Sequence, residues 1–327
     1  MSDAHESGAS TAARLGSRLA WSEERFAELG EISLCYQEMG DPAAEPIVLV
    51  MGLGTQMIHW DDGFCELLAR EGFRVIRFDN RDSGRSTKVS GPPPGRLAML
   101  AGLPVSVAYT LEDMADDVAG LIVHLGLDSA HVVGASMGSM IAQVVGYRRP
   151  ERVRSLALMM TGSGKRIASV PRLRALGTLL RDAPRERESY ADHVVKVFEA
   201  IGSPAFADQG ERIRGHALAA FDRGLNRAGV ARQLHAVTHS GDRSRHLRGV
   251  QAPTVVIHGS EDPLVRPAGG RSVAAAIPGA RLVMVPGMGH DLPPEVWPLV
   301  AGEIVANARR SDERVLQDAG RAVRVAA

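Results

Sequence analysis

The sequence predicts an α/β protein with a mostly parallel central sheet flanked by helices and with a helical cap inserted after about the sixth strand. Three observations predict this class. Uninterrupted apolar runs stop at glycine, as in PIVLVMG (46–52), which is typical of strands buried on both faces. Amphipathic helical segments alternate with these runs, which indicates parallel strands joined by crossover helices. Between Lys165 and Arg248, helical segments follow one another without an intervening strand.

The elements can be placed in chain order. A loosely alternating stretch at 25–40 predicts a hairpin at a sheet edge. Thr110 predicts the start of a helix, because its hydroxyl is suited to cap the segment and Asp113 follows three residues later. An insertion at 88–106 contains too many prolines and glycines for a long regular element. The strands predicted after Thr110 are HVVGA, VRSLALMM, PTVVIHG and RLVMVPG.

These patterns divide the chain into five parts. We expect a flexible N-terminal segment (1–23), a first part of the α/β core (24–164), the helical cap (165–248), a second part of the core (249–310) and a C-terminal tail (311–327). The arginine-rich faces of the cap are interpreted as solvated surface. The tail is compatible with either a short amphipathic helix or a frayed end.

The composition excludes several classes of function. Lys and Arg total 38, as do Asp and Glu, so no net positive charge attracts nucleic acid. No apolar run has the length of an integral membrane segment, and the N-terminus lacks the apolar part of a secretion signal, so we expect a cytoplasmic protein. Cys35 and Cys65 are predicted to be buried thiols. No His and Cys spacing indicates a metal site, and we expect no cofactor.

One pentapeptide, Gly134–Gly138 (GASMG), has the pattern G-x-S-x-G around Ser136. On the motif alone, a nucleophile and a helix N-cap serine are equal alternatives. The serine lies between a predicted buried strand and a predicted helix, and a turn there would raise its hydroxyl above the carboxyl edge of the sheet. Gly134 and Gly138 would then be required, because side chains would clash in the tight turn. The context therefore favours a nucleophile.

A serine nucleophile needs a base, and the base needs an orienting carboxylate. The loops after the last two predicted strands offer Asp262 and His290, and the order Ser136, Asp262, His290 is the one that this strand–turn–helix motif requires. Asp291 and Glu261 are rivals of Asp262. Side chains of adjacent residues on a loop rarely face each other, which disfavours Asp291 as the partner of His290.

The reaction also needs backbone amides that stabilise the developing oxyanion. Met137 follows the predicted nucleophile and would supply one amide, and Leu53, in the glycine-rich loop after the third strand, would supply the other. His59 and Trp60 follow that loop. They are candidates for lining the substrate pocket, with packing at the start of a helix as an equal alternative.

Taken together, the chain resembles the α/β-hydrolase fold of serine hydrolases over roughly residues 24–308. It is similar to a bacterial group that includes actinobacterial carboxylesterases and lipases and aclacinomycin methylesterase-like enzymes. This resemblance implies hydrolysis of carboxylic esters through an acyl-enzyme intermediate, without naming a substrate. The matching segments are VLVMGLG, FDNRDSGRS, GASMGS, HGSEDPLV and PGMGHDLP.

Two positions depart from the family pattern. Met51 precedes Gly52 where many members have His-Gly, which would alter the pocket wall without removing the backbone donor. Asp82 stands where many relatives carry glycine. Its neighbours Asp79 and Arg81 are predicted to tie their loop together rather than to take part in the chemistry.

The same serine machinery also fits thioesterases, carbon–carbon bond hydrolases and cofactor-free perhydrolases, and a non-catalytic hydrolase-fold binding protein is a further alternative. We expect the partner to be a small-molecule substrate, an apolar ester, and we expect no binding of nucleic acid. Formation of a homodimer is left open. Apolar residues in the 88–106 insertion suggest either an acyl pocket or packing of the cap on the core; they are Leu97, Met99, Leu100 and Leu103.

Overall fold

The computed structural model describes residues 19–91, 107–165, 172, 175, 177 and 183–325, with side chains described up to residue 311. Eight strands and nine α-helices have their bounds within the described residues. The strands are β1 (Arg25–Leu29), β2 (Ile32–Met39), β3 (Glu45–Val50), β4 (Phe73–Phe78), β5 (Ala130–Ala135), β6 (Val153–Met159), β7 (Thr254–Gly259) and β8 (Arg281–Val285). The helices are α1 (Asp62–Arg70), α2 (Leu111–His124), α3 (Met137–Arg148), α4 (Arg187–Ile201), α5 (Gly210–Arg223), α6 (Arg227–His239), α7 (Ser244–Leu247), α8 (Pro267–Ala276) and α9 (Trp297–Val325). Single 3-10 turns lie at Met57–His59, Pro150–Arg152 and Pro294–Val296.

The eight strands form one sheet in the order β1-β2-β4-β3-β5-β6-β7-β8. Strands β1 and β2 pair antiparallel at one edge, which confirms the predicted hairpin, and β2 also pairs antiparallel with β4. All other neighbours are parallel, which confirms the predicted mostly parallel sheet. Val50 pairs with Gly134, so the loop after β3 meets the turn after β5 at the same edge of the sheet.

Apolar side chains cover both faces of the sheet, which explains the uninterrupted apolar runs. In β3, Val48 and Val50 enter one cluster, whereas Ile47 and Leu49 enter the other, because successive side chains of a strand point to opposite faces. Helices α2, α3 and α8 contribute to the first cluster, and α1 and α9 contribute to the second. The fold thus has a helix–sheet–helix core.

Local signals in the sequence also agree with the structure. The Thr110 hydroxyl accepts from the amide of Asp113, and the Asp113 carboxylate accepts from the amide of Thr110, which confirms the predicted helix start. Cys35 and Cys65 are buried free thiols. Burial raises the pKa of Cys35 to about 12, so this thiol stays protonated at neutral pH.

Helices α4–α7 lie between β6 and β7, which confirms a helical insertion after the sixth strand; we call them the helical cap. Residues 92–106 of the predicted insertion, including Leu97, Met99, Leu100 and Leu103, lie outside the described residues. Helix α9 continues across residue 311, so the boundary expected there does not coincide with the end of an element. Within the described ranges, no helix combines the length and apolar character that crossing a bilayer requires.

Candidate active site

Ser136 stands at a sharp turn between β5 and α3. Its backbone has φ of +54° and ψ of −117°, a strained combination for a residue other than glycine. A Cβ on Gly134 would lie 2.4 Å from the carbonyl oxygen of Gly138, and one on Gly138 would lie 2.0 Å from that of Val50. The turn therefore needs glycine at both positions, as expected from the sequence, and it holds Ser136 at the carboxyl edge of the sheet.

A continuous hydrogen-bonded chain joins Ser136, His290 and Asp262. Nε2 of His290 lies 2.9 Å from Oγ of Ser136, and Nδ1 lies 2.7 Å from Oδ2 of Asp262. Asp262 follows β7 and His290 follows β8, so the carboxyl ends of parallel strands bring together residues 154 positions apart in the chain. The structure therefore assembles the three side chains predicted to act together.

Asp262 is fully buried and its second oxygen is also engaged. Oδ1 accepts hydrogen bonds from the amides of Leu264 at 2.9 Å and Val265 at 2.8 Å. Nε2 of His258 lies 3.5 Å from Oδ2 of Asp262 and 2.7 Å from the carbonyl oxygen of Val265. Burial lowers the pKa of His258, so this imidazole is neutral near pH 7. The surroundings fix the carboxylate with one oxygen facing His290.

The two rival carboxylates lie elsewhere. Glu261 is exposed to solvent. Asp291 is buried and accepts a short hydrogen bond from the Ser203 hydroxyl, and burial raises the pKa of Asp291 above its usual range. Neither contacts the imidazole of His290 through a hydrogen bond among the described residues, whereas Asp262 does.

The loop that carries His290 is held from the cap side. The His290 amide donates to the carbonyl of Ile201 at 2.7 Å, and the Gly289 amide donates to the Ser203 hydroxyl at 2.8 Å. A Cβ on Gly289 would lie 2.2 Å from the carbonyl oxygen of Gly202, so the two segments are in close contact. This contact was not foreseen from the sequence, because nothing in the local pattern pairs the end of α4 with the loop after β8.

The loop after β3 lies against the serine turn. A Cβ on Gly52 would lie 3.3 Å from Cβ of Ser136. Among the described residues, no acceptor takes a hydrogen bond from the amides of Leu53 or Met137, the two predicted oxyanion donors. The Asn80 side chain donates to the carbonyl of Met51 at 2.9 Å and holds the start of this loop. Both amides are therefore free to donate to a ligand.

His59 and Trp60 have different surroundings. Trp60 is 1% exposed and stacks on Phe64 with 5.9 Å between ring centroids, which favours the packing interpretation of this residue. His59 sets its ring edge against His216 at 5.8 Å. Burial lowers the pKa of His59 to about 4, so the ring is neutral at pH 7. Contact of either residue with a substrate stays a prediction.

The segment between β4 and the 88–106 insertion is tied to the cap through buried ion pairs. Asp79 accepts from Arg223 of α5 at 2.9 Å, and Asp82 accepts from both Nε and Nη2 of Arg232 of α6, at 2.8 and 2.9 Å. Arg81 forms two hydrogen bonds with the carboxylate of Asp117. These contacts agree with a structural role for the loop.

The same pairs correct, for two arginines, the interpretation of the arginine-rich cap faces as solvated surface. Arg232 is 4% exposed, and the side chain of Arg223 is 10% exposed. Because buried carboxylates need compensating charge, Arg223 and Arg232 turn inward to Asp79 and Asp82, whereas other cap arginines, such as Arg187, Arg227 and Arg245, are exposed to solvent. Within the described part of the chain, no group of three or more His, Cys, Asp or Glu side chains is suited to hold a metal ion.

The site combines a strained serine turn, a histidine and a buried aspartate at one sheet edge, with two free amides nearby. This combination defines a class of protein: hydrolases built on the α/β-hydrolase fold. The sequence model of the alpha/beta hydrolase fold matches residues 45–295. The chain belongs to this family.

Individual relatives agree with this assignment. The chain is 30% identical over 305 residues to a rhodomycin D methylesterase of Streptomyces peucetius, covering 85% of this chain and 96% of the relative. The structure of an enol-lactonase from Burkholderia xenovorans LB400 is similar, with a TM-score of 0.68, 25% identity and coverage of 86% and 99% of the two chains. A meta-cleavage product hydrolase from Pseudomonas fluorescens IP01 shares the fold at a TM-score of 0.71 and 18% identity, covering 88% of this chain and 98% of its own.

Proposed function

We propose that the protein is a serine hydrolase that cleaves carboxylic esters through an acyl-enzyme intermediate. The observation that carries the proposal is the hydrogen-bonded chain from Ser136 through His290 to the buried carboxylate of Asp262. This series of hydrogen bonds begins at Ser136, whose backbone has a positive φ at the carboxyl edge of the sheet. A serine hydroxyl is a weak nucleophile, and an adjacent imidazole oriented by a carboxylate is the arrangement that activates it.

In the proposed reaction, Nε2 of His290 takes the proton of the Ser136 hydroxyl as Oγ attacks the ester carbonyl. Asp262 accepts the hydrogen bond from Nδ1 of His290 and stabilises the imidazolium that forms. The imidazolium then protonates the departing alcohol. In the second half, His290 takes a proton from the water that attacks the acyl-enzyme, and it returns this proton to Oγ of Ser136 as the carboxylic acid departs.

The carbonyl oxygen becomes negative in both tetrahedral intermediates. The amides of Leu53 and Met137 are proposed to donate to it, which is supported by their lack of acceptors among the described residues. Preorganised donors of this kind are worth roughly 10²–10³-fold in kcat each.

The relatives narrow the substrate class. One relative is a methylesterase and one structural neighbour is an enol-lactonase, and each of these names denotes an enzyme that cleaves an ester linkage. We therefore propose a carboxylic ester as the substrate, with methyl esters of aromatic acids and esters of longer acyl chains as the two series to compare.

The test is hydrolysis of p-nitrophenyl esters of increasing acyl length and of methyl esters of aromatic acids, by the wild type and by Ser136→Ala. We expect Ser136→Ala to lose roughly 10⁴-fold or more of kcat. Ser129→Ala is the matched control, because Ser129 directly precedes β5 and therefore lies at the amino end of the strand that carries Ser136 at its carboxyl end. It should retain wild-type turnover.

Labelling by a fluorophosphonate gives an independent readout by intact mass. Retention of more than a few per cent of the esterase activity in Ser136→Ala would refute the assignment of the nucleophile. Labelling of Ser136 without turnover of any ester would instead redirect the proposal to a thioester or a carbon–carbon bond as the scissile linkage.

A further inference from the structure

The predicted oxyanion loop is in direct contact with helix α6 of the cap. The Gly54 amide donates a 2.9 Å hydrogen bond to Oε1 of Gln233, a residue 179 positions further along the chain. Nε2 of the same side chain donates to the carbonyl of Arg81 at 2.8 Å and contacts the Ser83 hydroxyl at 3.0 Å. Gln233 is 0% exposed, so water does not substitute for these partners.

The contacts fix which end of the Gln233 amide faces the loop. The Gly54 N–H can only donate and therefore needs the oxygen, whereas the Arg81 carbonyl can only accept and needs the NH₂ group. If the side-chain amide were flipped, its NH₂ group would face the N–H of Gly54 and its oxygen would face the carbonyl oxygen of Arg81. Unpaired buried polar groups are costly, so a single orientation is stabilised.

The loop turns tightly where α6 meets it. Gly54 adopts φ of +69°, and a Cβ there would lie 3.0 Å from Cγ2 of Val230, three residues before Gln233 on α6. Residues three apart share a helix face, so one face of α6 both packs against Gly54 and binds its amide. On the core side, Asn80 holds the carbonyl of Met51. Leu53 therefore lies between Met51, which is held from the core, and Gly54, which is held from the cap.

We propose that Gln233 is a positioning residue for oxyanion stabilisation. In this assignment, the side chain of Gln233 sets the orientation of the loop that carries Leu53 and thereby the strength of the oxyanion hole. The inference rests on the proposed serine hydrolase and extends it, because it assigns part of the catalytic geometry to the cap.

The test compares three variants. Gln233→Met keeps the volume and removes every hydrogen bond, and we expect kcat to fall roughly 10–100-fold with KM within about twofold, because oxyanion donors act on the transition state more than on bound substrate. Asn226→Ser is the control. It removes the hydrogen bond from the side chain of Asn226, which caps the start of α6, to Asp82, and it keeps a residue type suited to that cap position. Its kcat should stay within about twofold of the wild type.

Gln233→Glu supplies a conservative variant with its own signature. One carboxylate oxygen still accepts from Gly54, but the other opposes the carbonyl of Arg81. A protonated carboxyl group donates there instead and restores the pattern of the amide. We therefore expect the ratio of kcat in Gln233→Glu to kcat in the wild type to rise as the pH is lowered, a response that Gln233→Met lacks.

A second readout separates this inference from the ester assignment. The rate constant for reaction of Ser136 with a fluorophosphonate, with fluoride as leaving group, needs no ester turnover, yet its phosphoryl oxygen occupies the oxyanion hole. A labelling rate reduced in Gln233→Met and unchanged in Asn226→Ser supports the assignment, even if the wild type hydrolyses no ester.

Three results overturn the role of Gln233. An unchanged kcat and labelling rate in Gln233→Met, alongside a lower melting temperature, reduces it to a packing contact. An equal loss in Asn226→Ser means that cap docking in general is responsible. Failure of Ser136 to react in the folded wild type removes the nucleophile, and the oxyanion role falls with it.

Discussion

Two buried aspartates of this protein, Asp262 and Asp82, have side chains with no exposed area, yet their partners differ in kind. Asp262 binds the imidazole of His290 and two backbone amides. Asp82 binds the guanidinium of Arg232 through two hydrogen bonds. It also accepts hydrogen bonds from three other groups: the Tyr109 hydroxyl, the side-chain amide of Asn226 and the backbone amide of Val89.

The difference separates a carboxylate suited to catalysis from one suited to holding the fold. A guanidinium is permanently charged, so Arg232 compensates Asp82 at all times. An imidazole is charged only when protonated, so the negative charge of Asp262 has most effect at the moment when His290 takes a proton. Burial raises the pKa of Asp82, but the hydrogen bonds from Arg232 and Tyr109 outweigh it and hold the pKa below its usual value.

Within the comparison of the two aspartates, the largest expected effect is that of Asp262→Asn. An amide does not stabilise the imidazolium and favours the wrong tautomer of His290, so we expect kcat to fall by roughly 10⁴-fold. Steady-state hydrolysis at saturating ester measures this. Asp291→Asn is the matched control, since Asp291 is also buried and adjacent to His290 but hydrogen-bonds to Ser203. An equal loss of kcat in the control would show that the two carboxylates have been assigned wrongly.

The counterpart is Asp82→Asn, for which we expect a loss of stability rather than of chemistry. It leaves the buried charge of Arg232 without its carboxylate, and removing one partner of a buried ion pair costs about 3–5 kcal/mol. Urea unfolding gives the free energy of unfolding of the variant and the wild type. Turnover should persist at temperatures well below the melting transition. Unchanged unfolding combined with a large loss of kcat would place Asp82 in the catalytic machinery instead.

The contrast also explains which features could be predicted from sequence. The glycine pair around Ser136, its position between a buried strand and a helix, and the capping pair of Thr110 and Asp113 are local patterns. Their physical cause lies within a few residues, so composition and spacing are enough to find them. The proximity of Asp262 and His290 was predictable because parallel strands bring the loops that follow them to one edge of the sheet.

The cap contacts were not predictable, because their cause is distant in the chain. Gln233 reaches Gly54 across 179 positions, and Arg232 reaches Asp82 across 150. Arginines on a helix face give the same periodic pattern whether they point to water or to a buried carboxylate. Only the packed structure shows that Arg232 turns inward, and the departure from the family pattern at Asp82 was the one sequence feature that could have pointed to it.

The pH dependence of stability provides a third and smaller test of the comparison. A carboxyl group with a lowered folded-state pKa stabilises the protein above its unfolded value of about 3.9, and that contribution is lost as the pH falls through the folded pKa. The difference in free energy of unfolding between the wild type and Asp82→Asn should therefore be constant from about pH 5 to 8 and shrink below about pH 4. A difference that grows on acidification would contradict the lowered pKa.

The smallest expected effect is that of Tyr109→Phe, which removes one neutral donor from Asp82. The aromatic ring, which lies 5.2 Å from the guanidinium carbon of Arg81, is retained. We expect a loss of about 0.5–1.5 kcal/mol in the free energy of unfolding and unchanged kcat and KM. Urea unfolding of Tyr109→Phe and of Asp82→Asn, measured together, gives the share of the stabilisation around Asp82 that comes from the Tyr109 hydroxyl. If the two variants were equally destabilised, the donors around Asp82 would act as one cooperative unit, and the ion pair with Arg232 would not be its dominant member.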